Sequence, residues 1–513
     1  MKETKRVLVR HHTPETRCLV APHPDVVAEL RQELDTLRAN VEDSAATSFL
    51  TLRRPQAFGF DDGMILPPDE FELGTSADVM RAAAATRDPL RGPLNVVVVL
   101  VDFSDKPMTR SNAEFEDLFF GQGTNSVHDY FNDVSGGLIG ITGSVVGPFT
   151  LPLTLAQYAN GRSGTGPAPN AQTMARDAAN AALAHINQSL DNDGNGFVDA
   201  FIVIHAGRGA EETNLNSDIW SHKWVIANGA VMAADGTQIF AYLTVPEDSR
   251  LGVCVHELGH LLFGWPDLYD TDNTSEGVGN WCVMGGGSWN GLGVGTSRPG
   301  DVPAHPSAWC KATQKWVNVV SQNQNARVTI TDVQDSRTVY RLWKDGAFAS
   351  EYFLVENRQR NGFDRGLPGD GLLIWHIDDS IASNSNEFHY KVALVQADGS
   401  RDLERAANRG DAGDPYPGTA ANATFDAQSN PSSDSYSAIP TSVAVRRIPA
   451  SATDMTVDLA VTAASTRRRR RRSVRRTGPE PVLPVRGDSA GEAAAAPAGE
   501  YIVPGSNPPD LTA

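Results

Sequence analysis

Four cysteines in 513 residues are too few for a disulfide scaffold and permit two bridges at most. No apolar run approaches the ~20 residues a membrane-spanning helix needs. The longest, Val96–Val101, has the length of one buried strand. The charged opening Met1–Arg6 leads straight into Val7–Arg10, so no apolar core of a secretory signal is expected there. Basic residues are in deficit: 44 Lys and Arg stand against 62 Asp and Glu, a net charge of −18. Residues 466–513 hold nine Arg and five acidic residues, which leaves −22 on the chain before them. So acidic a body is not expected to bind nucleic acid, and it is compatible with bound cations. Internal repeats are also lacking.

What remains is an ordinary globular composition, 40% hydrophobic and 21% charged. At ~150 residues per domain the length suggests about three units. Residues 1–91 form an N-terminal region with a helix from Pro24 to Val41, Pro- and Gly-containing coil, and an Ala/Arg-rich connector. From 92 to 325, strands at Asn95–Phe103, Leu138–Val146, Phe201–His205 and Gln238–Val245 alternate with helices at Asp129–Val134, Thr173–Leu190 and about Ser249–Phe263. Such interleaving predicts a mixed sheet covered by helices. From 326 to 463 short β runs separated by turn residues predict an all-β, sandwich-like domain, so the fold class expected is α+β. Residues 464–513 read as a disordered tail, Arg-rich at Arg467–Arg472, Arg475 and Arg476, then rich in Pro, Gly and Ala. The Arg block is a candidate contact for polyanions, a candidate protease site or a nuclear address, or simply a solvated tail. Arg486-Gly487-Asp488 is too short to carry an integrin-type reading.

The informative segment is Val253–Asp267. His256 and His260 stand one helical turn apart, so both imidazoles leave one face and can grip one zinc ion at ~2.0–2.1 Å. Glu257, beside His256, lies within reach of a water on that ion. Zinc lowers the pKa of such a water towards ~7, Glu257 can take its proton, and the same carboxyl can later protonate a leaving amine. That is the chemistry of peptide hydrolysis. Apolar Val253, Leu261 and Leu262 supply a buried face, and Gly264 and Pro266 end the helix.

The segment resembles the metzincin pattern, in which Gly ends the helix seven residues after the first His and a His or Asp ligand follows three later. Here Gly264 stands eight residues on and Asp267 eleven, one residue more. Asp267 is the expected third ligand on that resemblance, with Asp270 and, in a thermolysin-like arrangement, Glu276 as alternatives. Met284, in Gly279–Asn290, resembles the Met of the metzincin Met-turn, which packs beneath the ligands. With Trp265–Asp270, Val99–Phe103, Ala200–Gly207, Asp218–Trp224, Glu351–Gln359 and Leu367–Asp378, the chain is similar to the M6 family of metallopeptidases, the immune inhibitor A group. The resemblance spans roughly residues 92–460. It implies a zincin-like catalytic domain in a secreted, zinc-dependent endopeptidase made as a zymogen with a propeptide, often calcium-stabilised, and acting on protein or peptide substrates. Without a recognisable signal segment, a cytoplasmic location is the alternative.

A second metal site is expected at Asp191–Asp199. Asp191, Asp193, Asn195 and Asp199 with the Phe197 carbonyl offer the hard oxygens calcium wants, and Gly196 permits the turn; an Asx-rich turn is the alternative. Position 12 of the loop is Ile202, so the closing Glu of an EF-hand is absent. Gly410–Pro415 reads as an acidic loop. Cys18 is a candidate latency thiol, as in some metzincin zymogens, or an ordinary free one. Cys254 and Cys282 flank the proposed site and are candidates for a bridge, with free thiols as the alternative; Cys310 has no assignable partner. His205 and His222 resemble family positions but read as structural. A catalytically silent, calcium-stabilised binding or adhesion protein is the rival function, and a metallohydrolase of other amides or esters would use the same residues.

Overall fold

The computed structural model describes residues 18–38, 88–271, 273–291, 293–295 and 297–462. Most of the connector before residue 88 and the Arg-rich tail with its Arg-Gly-Asp tripeptide lie outside the described residues. Along the first half come β1 (Cys18–Leu19), α1 (Pro24–Arg38), β2 (Gly92–Asp102), α2 (Asn112–Phe120), α3 (Val127–Ser135) and β3 (Ile139–Thr150). Then follow α4 (Ala171–Ala182), β4 (Phe201–His205), β5 (His222–Val225), β6 (Ala241–Pro246) and α5 (Leu251–Phe263).

Six strands form one sheet in the order β1-β5-β6-β4-β2-β3. The four from β6 to β3 run parallel, whereas β5 is antiparallel to β6 and β1 antiparallel to β5. β2 is buried on both faces, as an apolar run in a parallel sheet must be. Its alternation divides the core: Val96, Val98 and Leu100 pack with α2, α3 and α5, while Val97, Val99 and Val101 pack with α4. The fold is thus a mixed α/β arrangement, and no described helix is long and apolar enough to cross a membrane.

Two expected elements differ. The helix expected to Leu190 ends at Ala182 in a single tight turn, Leu183–His185, because Ile186 turns extended. The strand expected over Gln238–Val245 breaks at Phe240, whose side chain turns into the α4 core and whose carbonyl accepts the Ile226 amide.

The second half holds two further sheets. One is β12-β11-β10-β9-β7, built from β7 (Asn318–Gln322), β9 (Thr338–Trp343), β10 (Glu351–Arg358), β11 (Gly371–Asp378) and β12 (Val392–Leu394). The other is β8-β15-β14-β13, from β8 (Ala326–Thr331), β13 (Thr424–Phe425), β14 (Ala444–Arg446) and β15 (Asp454–Ala460). Phe353 and Val355 of β10 face the four-stranded sheet, packing with Phe425, Met455 and Val457. Tyr352 and Leu354, on the opposite face, join the cluster that holds α5 and Met284. Beside them Lys311 Nζ meets Glu356 Oε2 at 2.6 Å, and Arg358 Nε meets Asp364 Oδ2 at 2.6 Å, all four side chains buried. Apolar packing and paired charges therefore brace α5 from behind.

Candidate metal centre

Every residue of α5 is buried, which suits a helix carrying Val253, Val255, Leu258, Leu261 and Leu262 around its circumference. Gly264 ends it with φ 63°, a left-handed conformation that favours glycine. This reversal carries Trp265–Asp267 back along the helix, and the Leu268 amide donates to Met284 O at 2.7 Å. Two further glycines are there for contact. A Cβ on Gly259 would lie 2.7 Å from Met284 Sδ and 3.0 Å from the Trp265 ring. One on Gly252 would collide with Ser288 O. Met284 thus packs against the helix between the two histidines.

Three side chains converge at this point. His256 Nε2 and His260 Nε2 lie 3.1 Å apart, and each lies 3.1 Å from Asp267 Oδ1. The other ring nitrogens are occupied: His256 Nδ1 donates to Val283 O at 2.8 Å and His260 Nδ1 to Trp265 O at 2.5 Å. A carbonyl can only accept, so each Nε2 of the neutral ring presents a lone pair. Burial holds His260 below the usual imidazole range, which favours that neutral form. Two lone pairs and a carboxylate oxygen facing one another have no proton to share, a donor set that a cation could complete. Their 3.1 Å spacing approaches the ~3.3 Å edge of tetrahedral zinc coordination. Asp267 Oδ2 and both Glu257 carboxylate oxygens are buried without a hydrogen-bond partner. Burial, then Asp267 and Glu211, hold the Glu257 carboxyl well above the usual carboxylate range.

The other candidates for third ligand are engaged elsewhere. Asp270 Oδ2 accepts from Ser275 Oγ at 2.6 Å, and Glu276 Oε1 pairs with Arg31 at 2.6 Å. His205 and His222 lie in β4 and β5, with His222 bridging Trp220 O and Tyr242 Oη. The candidate bridge between Cys254 and Cys282 is not formed, and both are buried free thiols, the alternative reading. Cys254 Sγ turns to Ser249 Oγ at 3.5 Å, whereas Cys282 Sγ faces away, accepting the Met284 and Ser307 amides and bonding with Cys310. Cys310 therefore has a neighbour that its sequence context does not disclose. Cys18 contributes its backbone to β1 opposite Lys223.

Asp191, Asp193 and Asp199 also bring carboxylate oxygens within 4.8 Å of one another. Asp191 accepts the amides of Gly194, Asn195 and Gly196, and Asn195 Oδ1 accepts that of Phe197. Burial first, then Asp193 and Asp191 nearby, pushes the Asp199 carboxyl up to about 6. The acidic loop Gly410–Pro415 brings Asp411 and Asp414 to Asp398, with carboxylate oxygens also within 4.8 Å of one another. Asp398 stands thirteen residues before Asp411, outside that loop, and Asp414 is held by Trp281 Nε1 at 2.9 Å.

Two imidazoles from a buried helix and a carboxylate from the loop after it, aimed at one point with a free carboxylate beside them, are a donor set of the kind metallopeptidase domains use. Residues 93–317 match the family described as immune inhibitor A peptidase M6, catalytic domain. Immune inhibitor A of Bacillus thuringiensis subsp. alesti is 30% identical over 283 residues, 44% of this chain and 41% of that protein. The pre-pro-metalloprotease PrtV of Vibrio cholerae serotype O1 (strain M66-2) is 29% identical over 271 residues, 42% of this chain and 29% of the relative. The chain thus covers less than half the length of the curated relatives it matches. Residues 93–317 are thus similar to the catalytic domain of the M6 peptidases.

Proposed function

We propose that this chain is a zinc-dependent endopeptidase acting on proteins or peptides. The observation that carries the reading is the convergence of His256 Nε2, His260 Nε2 and Asp267 Oδ1 beside the partnerless Glu257 carboxylate. Bound there, zinc would supply Lewis acidity towards a water and the scissile carbonyl. Glu257 takes a proton from the attacking water and returns it to the leaving amine nitrogen. Val283 O and Trp265 O keep both imidazoles in the ligating tautomer, and Met284 supports the helix between them.

With this reading go a zincin-like architecture for residues 92–325, supported by the family match, and a sandwich-like β domain for 326–463, supported by the apolar cluster its two sheets share. A propeptide role for the N-terminal region is supported by β1 on the sheet edge and by the pre-pro form of the relative PrtV. Calcium at Asp191–Asp199 is supported by the crowded carboxylates, and an extracellular location by the family resemblance.

The test is casein hydrolysis by the purified chain and by Glu257→Ala, each before and after limited proteolysis, with zinc content measured on both. Cleavage by the parent and none by a zinc-loaded Glu257→Ala supports the reading. Zinc in both with cleavage in neither favours the silent binding protein, and zinc in neither refutes the centre.

A further inference from the structure

Residues 19–22, Leu-Val-Ala-Pro, are buried although they belong to the N-terminal region rather than to the body of the fold. β1 lies antiparallel on the β5 edge, Leu19 opposite His222, and the Val20 amide continues the ladder to Ser221 O at 3.2 Å. β1 also packs against α5, the helix that carries His256 and His260, so the strand lies beside the centre described above. Three consecutive carbonyls are then gripped from outside the sheet. Tyr269 Oη donates to Leu19 O at 3.0 Å, Trp220 Nε1 to Val20 O at 2.9 Å and Trp289 Nε1 to Ala21 O at 2.7 Å. The donors come from separate places: the loop after α5, the residues leading into β5, and the turn after Met284. All three address main-chain oxygens, which every peptide offers, and the occupant's side chains are small and apolar. Added-strand recognition works in this way, with backbone bonds giving affinity and side-chain subsites giving selection.

We propose that Trp220, Tyr269 and Trp289 are the main-chain anchors for an extended, small-aliphatic peptide substrate, and that Leu19–Pro22 is lodged on them as a stand-in from the same chain. This rests on the endopeptidase reading for what happens next to the peptide, but not for its binding. The segment is tethered by α1, where Arg31 pairs with Glu276 at 2.6 Å, and by the His23 amide on Glu211 O at 2.9 Å. Loosening either end exposes the anchors to a peptide in solution.

The test uses the full, zinc-loaded chain in a Glu257→Ala background, so that the probe stays whole. The probe is a dye-labelled peptide with the sequence of residues 17–24 carrying Cys18→Ser, and the readout is fluorescence anisotropy. Two loosening variants are made, because Val20→Pro removes a buried amide and could disturb folding, whereas Arg31→Glu leaves the strand intact and turns the ion pair with Glu276 into a repulsion. The peptide is expected to bind a loosened form at least ten-fold more tightly than the unloosened chain. In that form, Trp220→Phe, Tyr269→Phe and Trp289→Phe should each weaken binding about five-fold, the loss of one hydrogen bond. Trp309→Phe, whose indole bonds with Asp379, should not. Equal binding to loosened and unloosened chains, or anchor variants that bind like their parent, would overturn the proposal. Anchor-dependent binding with no casein cleavage by the Glu257-containing chain would keep the anchors and refute the hydrolysis.

Discussion

Gly259 is the residue at which the centre is most exposed to a single methyl group. In Gly259→Ala two terms of opposite sign compete. Alanine favours an interior helix position over glycine by ~1 kcal/mol. Against this, the new Cβ would stand 2.7 Å from Met284 Sδ and 3.0 Å from Trp265 Cε3. Met284 can bend away at its flexible end, but Trp265 is held in an aromatic cluster, 5.1 Å from Phe263 and 5.1 Å from Trp316 between centroids. Overpacking of such a site costs ~1–3 kcal/mol, so a net destabilisation of about 1 kcal/mol is expected from both terms. The larger effect falls on metal affinity, because Trp265 O orients His260 and the Met284 turn carries Val283 O, which orients His256. Disturbing such supports typically lowers metal affinity by ~10–100-fold. Urea unfolding gives the first quantity and competition with a zinc chelator the second. Met284→Ala alone should cost ~2–5 kcal/mol through the cavity it leaves. In the double variant the methyl added at position 259 no longer meets sulfur, so the pair should be more stable than the sum of the single effects by ~1 kcal/mol or more. A Gly259→Ala protein more stable than its parent, with unchanged zinc affinity and an additive cycle, would refute this account of the helix and turn.

Three further outcomes follow from other sites. Burial raises Asp364, but Arg358 prevails and brings its carboxyl to about 2, below the ordinary value of 3.8. A depressed acid stabilises the fold above its unfolded pKa, so ~2 kcal/mol should be lost as pH falls from near 4 to near 2. Urea midpoints across that range should show a shallower fall in Asp364→Asn, which should also be less stable at neutral pH because Arg358 keeps its buried charge. Calcium at a hundred times its Kd should stabilise the parent by ~2.7 kcal/mol, and Asp191→Ala should abolish the effect in thermal scans. Cys254, Cys282 and Cys310 are buried free thiols and should react with a thiol reagent only after unfolding, as mass spectrometry would show. Early labelling, or thiols missing from the unfolded chain, would contradict their placement.

The legible parts of this chain are those whose chemistry is local. A histidine pair one helical turn apart needs nothing but helix geometry, and the alternating Asp and Asn of 191–199 need nothing but a turn. The six-residue core of β2 was readable because a strand buried on both faces leaves an unbroken apolar run. What could not be read depends on where distant segments meet. Cys282 stands midway in sequence between Cys254 and Cys310, 28 residues from each, and only the packing of the Met284 turn decides which of the two it faces. Asp398 joins Asp411 and Asp414 across a loop with no motif spacing. Trp220, Tyr269 and Trp289 stand out in the sequence only as parts of family-like segments, because an indole N–H shows its purpose when a carbonyl arrives in front of it. The carbonyls that arrive belong to residues 19–21, roughly 200 positions or more before their donors. Local spacing thus specifies which atoms can hold a metal and move a proton, while the sheet edge and its three donors, assembled from remote segments, hold the main chain of the peptide brought to them. Those donors grip only main-chain oxygens, so exchanging Leu19, Val20 or Ala21 for other small aliphatic residues should leave the clamp intact. Removing one N–H donor should weaken it whatever the sequence of the peptide.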